Sequence, residues 1–173
     1  MQVSTYRWTE ANGWDLNLSQ DANVQLVLVC ADNPYFAQPA CFEELKHFFP
    51  QAEIVGCSSS GNILGDIVSD EDIVIAAISF SGTKILVKSK LIESGDNVAS
   101  TVTQLAQQFT DPTLKHLFVL SDGLSVSGTE LTQTLNDLNI PVTGGLAGDS
   151  DRFKESWVMV NGYAKKNQIA RKG

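Results

Sequence analysis

Two loops of small and polar residues hold most of the side chains in this sequence that could do chemistry. They run Gly56-Cys57-Ser58-Ser59-Ser60-Gly61 and Gly144-Gly145-Leu146-Ala147-Gly148-Asp149. Small residues let backbone N–H groups approach a ligand, as they do in anion-binding nests. The serine hydroxyls could hold a carboxylate and Asp149 an ammonium group, so the two loops predict a site for an amino-acid-like ligand. The alternative is that the glycines supply positive φ at tight turns and the serines cap a helix.

Each of two apolar runs is followed directly by an aspartate, Asp32 in one case and Asp122 in the other. In open α/β sheets, ligands bind outside the carboxyl ends of the strands. Aspartate at a strand end is also a common turn former, and these carboxylates together with Asp149 could instead act as an acid–base group. The predicted ligand-binding residues are Cys57, Ser58, Ser59, Ser60, Gly61, Asp122, Gly144, Gly145, Gly148 and Asp149.

Catalysis has little support in the sequence. A Cys57 nucleophile would need a base nearby, and His47 and His116 are the only histidines. Ser60 stands where a G-x-S-x-G elbow around Ser58 would need a glycine. The sequence has no P-loop, GxGxxG, HExxH or metal-spaced Cys/His set, so neither a metal nor a cofactor is expected. Cys57 is interpreted as a buried structural thiol, and a thiol- or carboxylate-dependent enzyme remains the third alternative.

Apolar periodicity and turn residues predict the elements that must position these residues. Helices are expected at about Pro39–Phe49, Asp96–Phe109 and Ser127–Leu138, the last opened by a capping box from Ser127 to Glu130. Ile73–Ser81 and Lys84–Ile92 are predicted to pair as a hairpin through Gly82, and Ser69–Asp72 to form a surface turn. The expected strands are Gln25–Ala31, Ala52–Cys57, Ile73–Ser81, Lys84–Ile92, His116–Ser121, Pro141–Gly144 and Ser156–Ala164.

A weak internal repeat links the two halves of the chain. The run Leu26–Asp32 lies over His116–Asp122 without gaps, and each is followed by a loop, a helix and a short strand that stops at a glycine, Gly56 or Gly144. The sequence therefore predicts an α/β fold, with a mixed, mostly buried β-sheet, covering helices and two β-α-β-β half-units. Whether the halves share an ancestor is left open.

Composition excludes several classes of partner. The net charge of −8 disfavours nucleic acid and acidic membrane surfaces, and no apolar stretch approaches the roughly 20 residues that span a bilayer. The three cysteines, Cys30, Cys41 and Cys57, are odd in number and lack CxxC spacing, which favours reduced thiols in a cytoplasmic protein.

An ordered set of motifs resembles the FIST N-terminal domain family. The set comprises Gly56–Gly61, Ser121-Asp122-Gly123, Gly144–Asp149, Phe153 and a strand that ends in Asn161-Gly162. The likeness extends from about Asn23 to the end of the chain. It implies a single sensory domain over residues 1–173, with truncation at its C-terminus as the open alternative, because family members usually continue into a FIST C-terminal domain.

The resemblance also implies a function. FIST domains are regarded as intracellular sensory modules that bind small ligands such as amino acids and act on a C-terminal partner domain, a signalling output domain or a histidine kinase. Some bacterial members are described as haem proteins that sense nitric oxide, so a haem-based sensor is the second alternative. Haem needs an axial ligand, for which His47 beside Phe48 and Phe49 is a candidate and His116 a weaker one.

Overall fold

The computed structural model describes residues 1–14, 20–38, 40–92, 96–150 and 152–172. The helices in this part of the chain are α1 (Asn33–Phe36), α2 (Ala40–Phe48), α3 (Val98–Ala106) and α4 (Gly128–Asn136). The strands are β1 (Gln2–Thr9), β2 (Gly13–Trp14), β3 (Leu26–Ala31), β4 (Glu53–Ser58), β5 (Asn62–Leu64), β6 (Ile67–Ser69), β7 (Ile73–Ser79), β8 (Val87–Leu91), β9 (Leu117–Ser121), β10 (Val142–Leu146), β11 (Val158–Val160), β12 (Tyr163–Lys165) and β13 (Gln168–Lys172).

The elements form four layers, in the order helix, sheet, sheet, helix. A seven-stranded sheet has the order β12-β11-β4-β3-β7-β1-β2, and a four-stranded sheet has the order β10-β9-β13-β8. Strand residues alternate between the two faces of a sheet. Val27 and Val29 of β3 therefore pack against helices α1 and α2, while Leu26 faces the second sheet. The outer face of the second sheet packs against α3 and α4. The predicted mixed α/β fold is confirmed, although its strands are divided among separate sheets.

The two halves of the chain repeat one topology. The orders β4-β3-β7-β1 and β10-β9-β13-β8 each contain a parallel pair followed by two antiparallel strands. In each half, a short antiparallel hairpin follows the second parallel strand, β5–β6 in the first half and β11–β12 in the second. The half-unit architecture that the sequence predicted is therefore present, and each half adds an antiparallel strand beyond its β-α-β-β core.

Two glycines occupy equivalent places in these halves. Gly56 lies opposite Val29 in the β3–β4 pair, and Gly144 lies opposite Val119 in the β9–β10 pair. A Cβ atom on Gly56 would lie 2.6 Å from the Val29 Cβ and O atoms, and one on Gly144 would lie 1.8 Å from the Val119 oxygen. Close approach between two backbones therefore requires glycine at both positions.

Two strand predictions are wrong. The predicted hairpin between Ile73–Ser81 and Lys84–Ile92 does not form, because β7 has β3 and β1 on its two edges and β8 pairs with β13 in the other sheet. Ser156–Ala164 is not one strand but contains a hairpin that turns at Asn161-Gly162, where both residues have positive φ. Asn-Gly is the preferred sequence of such a turn, so the signal was present in the sequence.

The start of α4 agrees with the sequence prediction, whereas several short or polar strands were missed. Ser127 caps α4 as predicted, but the Glu130 carboxylate accepts a hydrogen bond from the Ala99 N–H of α3 at 3.4 Å. Pro39, the predicted start of the helix that corresponds to α2, lies outside the described residues. Strands β1, β2, β5, β6 and β13 were not predicted, since their polar residues interrupt any apolar run. No helix in the described part of the chain is long and apolar enough to cross a membrane.

We expect alanine at Gly144 or at Gly56 to lower the free energy of unfolding by about 3 kcal/mol or more, because backbone must move to admit the methyl group. Gly145 is the matched control, since a Cβ there meets no atom within 4 Å. Gly145→Ala should change stability by no more than about 0.5 kcal/mol. Urea unfolding monitored by circular dichroism measures all three variants. Equal stability of the Gly144→Ala and Gly145→Ala proteins would contradict this account.

Candidate functional site

The two loops that were predicted to bind a ligand lie against each other. The N–H of Gly148 donates to the Ser58 carbonyl at 2.8 Å, and the Ser58 hydroxyl donates to the Gly148 carbonyl at 2.7 Å. The N–H of Ser150 donates to the Ser60 hydroxyl at 2.9 Å. A β-α-β crossover within one parallel sheet would bring the two loops to the same edge of that sheet. The structure brings them together differently, since β4 and β10 belong to different sheets and the contact joins the two sheets.

Several of the predicted binding residues belong to strands rather than to loops. Cys57 and Ser58 end β4, and Gly144 and Gly145 lie within β10. Gly148 approaches the first loop so closely that a Cβ atom on it would lie 2.4 Å from the Ser60 hydroxyl oxygen. Gly144 and Gly148 therefore serve the packing of one chain segment on another, whereas Gly145 does not.

Asp149 is buried, and protein donors surround its carboxylate. One oxygen accepts from the N–H groups of Lys154 at 2.6 Å and Glu155 at 2.9 Å. The other accepts from the Asn33 amide and from Arg152 Nε, the latter at 3.0 Å. Burial acts to raise the pKa of Asp149, but the two backbone N–H groups and Arg152 outweigh it and hold the pKa below its ordinary value. The predicted ammonium ligand would have to compete with these donors.

Asp122 has the same kind of environment. One oxygen accepts from the N–H groups of Leu124 and Ser125, both at 2.8 Å, and the other accepts from the N–H of Asn167 at 2.9 Å. Burial opposes ionisation, yet these hydrogen bonds keep the pKa of Asp122 below its ordinary value. Asp122 thus ties the end of β9 to the residue that precedes β13.

The predicted serines Ser58 and Ser59 also form hydrogen bonds within the protein. Besides its bond to Gly148, the Ser58 hydroxyl accepts from the Trp157 N–H at 2.9 Å, and the Ser59 hydroxyl donates to the Asn62 side-chain oxygen at 2.7 Å. The Asn62 amide nitrogen donates to Asp72 at 2.7 Å, and Arg7 Nε contacts the other Asp72 oxygen at 2.6 Å. Asp72 is buried, so its assignment to a surface turn was wrong. Because Asp72 directly follows Asp70 and Glu71, the sequence gave no sign of this burial.

The three cysteines have different environments. Cys41 and Cys57 are buried and Cys30 is exposed. A hydrogen bond from Cys57 lowers the pKa of Cys30 to about 7, although the neighbouring protein atoms partly desolvate the thiol and act in the opposite direction. The same contact, together with burial and the nearby Cys30 charge, raises the pKa of Cys57. The interpretation of Cys57 as a buried thiol agrees with this environment, whereas the exposed Cys30 was not anticipated.

A cleft of about 910 Å³ opens beside the carboxyl end of β3. It lies between the end of β1, helix α1 and the start of α2. Arg152 connects this cleft to the loops, since its guanidinium group contacts Asp32 at the cleft and Asp149 at the second loop. Both contacts raise the pKa of Arg152. The described lining residues are Trp8, Thr9, Glu10, Ala11, Asp32, Pro34, Tyr35, Gln38, Ala40, Cys41, Glu44 and Glu71.

Neither histidine makes a convincing haem ligand. His47 is exposed on α2, with its ring 5.8 Å from that of Phe48, and is not among the described lining residues of the cleft beside β3. His116 lines a separate cleft of about 480 Å³, where its Nε2 lies 2.8 Å from the Thr143 hydroxyl. Within the described residues, no group of three or more His, Cys, Asp or Glu side chains could hold a metal ion. The haem alternative therefore gains no support from either histidine.

We expect Asp122→Asn to lower the free energy of unfolding at pH 7 by about 2–4 kcal/mol, because an amide nitrogen would face a buried N–H group. The native pKa of Asp122 lies below its unfolded value, so the stabilisation is present above the unfolded pKa of about 4. It is lost as the pH falls through the native pKa. The difference between wild type and variant should therefore shrink in acid.

Urea unfolding between pH 7 and pH 3 measures this difference. Asp66→Asn, in the exposed turn between β5 and β6, is the control and should leave stability within about 0.5 kcal/mol of wild type. A pH-independent loss in the Asp122→Asn protein would show that the ionised carboxylate is not the stabilising group.

Comparison with known proteins gives a family for this chain. A search of curated protein sequences finds no match. The family model described as the FIST N domain matches residues 25–171, which include both glycine loops, the cleft residues Asp32, Tyr35 and Glu71, and the Arg152 link. The match covers most of the chain and agrees with the family resemblance of the ordered motifs. This chain therefore belongs to the FIST family, as a FIST N domain of the kind that serves as a sensory domain in signal transduction proteins.

Proposed function

We propose that this sensory domain binds a small molecule with an amino group in the cleft beside β3, and that an amino acid is the preferred class of ligand. The observation that carries the proposal is the composition of the cleft. Four carboxylates line it, from Glu10, Asp32, Glu44 and Glu71, and its described lining residues include no lysine or arginine. A cationic group would be attracted into such a cleft.

The ionisation of Tyr35 reflects the same negative field. The pKa of Tyr35 is raised first by burial and then by the charges of Glu10, Asp32, Glu71 and Asp72. A field that disfavours the phenolate anion favours a cation at the same place. The Tyr35 ring also lies 5.2 Å from that of Trp8, in an edge-on arrangement at the wall of the cleft. Aromatic faces add about 0.5–2 kcal/mol to the binding of a cation.

The start of α2 supplies the complementary end of the cleft. Ala40 and Cys41, the first residues of this nine-residue helix, line the cleft. The first N–H groups of a helix have no partner within the helix, and the helix dipole favours an anion there. A ligand with both an ammonium and a carboxylate group can therefore use both ends. The proposed ligand is therefore still amino-acid-like, but its main contacts lie in the adjoining cleft rather than in the two loops.

The link through Arg152 offers a way for binding to be sensed. Asp32 lines the cleft and contacts Arg152, which also contacts Asp149. A ligand ammonium that approaches Asp32 competes with Arg152 for this carboxylate. Weakening the Arg152–Asp32 contact would favour a different placement of the segment that Asp149 organises, and a ligand with unequal affinity for the two placements shifts their populations. The output partner would detect the change at the loops.

The experiment is a thermal-shift screen of the twenty amino acids, putrescine and choline, with succinate as an anionic control. We expect at least one amine-bearing compound to raise Tm saturably, and calorimetric titration to give its Kd. The Glu10→Gln/Glu71→Gln double variant should weaken that binding about tenfold, because two attractive charges are removed. Raising the salt concentration should also weaken binding.

The matched control is the Asp66→Asn/Asp137→Asn double variant, which removes the same net charge at exposed positions that are not among the described lining residues of the cleft. It should bind like wild type. Stabilisation by succinate alone, or equal affinity in the two double variants, would rule out a cation-binding cleft at this place.

A further inference from the structure

Cys30 and Cys57 stand side by side on neighbouring strands. They are Cα partners in the parallel pair β3–β4, so their side chains project from the same face of the sheet. Neighbouring strands lie about 4.8 Å apart, which is within the Cα separation of roughly 4.4–6.8 Å that a disulfide spans. The register therefore places the two Cα atoms within the span of a disulfide.

The two thiols differ in their access to solvent. Cys30 is exposed, whereas Cys57 packs between the sheets in a cluster that includes Leu120, Ala147 and Val158. A solute can therefore reach Cys30 first, and Cys57 lies beside it as a protected second thiol. Cys41 belongs to the cluster on the helix-covered face of the same sheet and cannot reach either of them.

The pKa values of the two thiols also favour reaction at Cys30 first. Contact with Cys57 lowers the pKa of Cys30, whereas the same contact and burial raise the pKa of Cys57, so Cys30 is the thiol of the pair that ionises first. The thiolate is the nucleophilic form of cysteine. An exposed, low-pKa thiolate next to a second thiol is the usual arrangement of a redox-sensing pair.

We propose that Cys30 and Cys57 form a modification site for hydroperoxides, at which Cys30 is oxidised first and Cys57 then closes an intramolecular disulfide. The Cys30 sulfur attacks the distal peroxide oxygen, an S–O bond forms, the O–O bond breaks, and the leaving alkoxide or hydroxide takes up a proton. The Cys57 sulfur then attacks the Cys30 sulfenic acid. The S–S bond forms, and hydroxide leaves as water with the Cys57 proton. Two thiols are oxidised as one peroxide is reduced to an alcohol, or to water, and a second water.

Oxidation at this place has a direct route to the loops. Cys57 is followed by Ser58, whose hydroxyl and carbonyl groups both bond to Gly148. A bridge at Cys57 constrains β4 against β3 one residue before this junction. The modification site is independent of the proposed amine ligand, because it uses the face of the sheet opposite the helices that border the cleft.

The test exposes the reduced protein to hydrogen peroxide at pH 7.5 and follows it by intact mass and peptide mass spectrometry. We expect a loss of about 2 Da, a Cys30–Cys57 linked peptide, and recovery of the starting mass with dithiothreitol. Cys41→Ser is the matched control and should form the bridge at the wild-type rate. Cys30→Ser should form no bridge, and Cys57→Ser should accumulate a sulfenic acid at Cys30 that dimedone traps.

Circular dichroism of each variant before oxidation separates loss of reactivity from loss of fold. The proposal is overturned if the folded wild-type protein gives no intramolecular bridge. It is equally overturned if peroxide yields only sulfinic acid at Cys30 with Cys57 still reduced, or only Cys30 disulfides between two molecules.

Discussion

The packing of the two sheets face to face determines where every other feature of this domain lies. Leu26, Val55 and Val158 of the first sheet pack with Leu120 and Ala170 of the second in one buried apolar cluster. The two sheets together exclude water from this cluster. Stacked sheets lie about 10 Å apart, so loops that leave corresponding strands in the two sheets are close enough to touch. The hydrogen bonds between Ser58 and Gly148 follow from that spacing.

The difference in width between the sheets leaves part of the inner face uncovered. In the part of the chain that the structure describes, the first sheet has seven strands and the second has four. Leu26, Ile78 and Val3 lie opposite one another across three strands, and burial at Leu26 and Ile78 gives way to exposure at Val3. Cys30 lies farther along the same face and is also exposed. An exposed thiol beside a buried one is therefore a consequence of unequal sheets built from two similar halves.

Most of the predicted polar groups in the loops already form hydrogen bonds with other groups of the protein. Asp122 and Asp149 each accept several hydrogen bonds from protein groups, because a buried carboxylate without such partners would be strongly destabilising. Recognition of the proposed ligand would then depend on groups that the fold leaves exposed. In the described residues these include Glu10, Glu44 and Glu71 of the cleft. The loops act as the frame that connects this cleft, through Arg152, to the second half of the domain.

Local patterns in the sequence determined the α/β class, the apolar strands β3 and β9, the Ser127 cap, and the repeat that places Gly56 and Gly144 in equivalent positions. Each depends on residues close together in the chain, where periodicity, turn preference and backbone sterics act directly. The pairing of β8 with β13, the burial of Asp72 and the contact of Arg152 with Asp32 depend on residues far apart in the chain. Only the tertiary structure decided them, because a strand edge or a charge finds its partner through the packing of whole sheets, which local sequence does not encode.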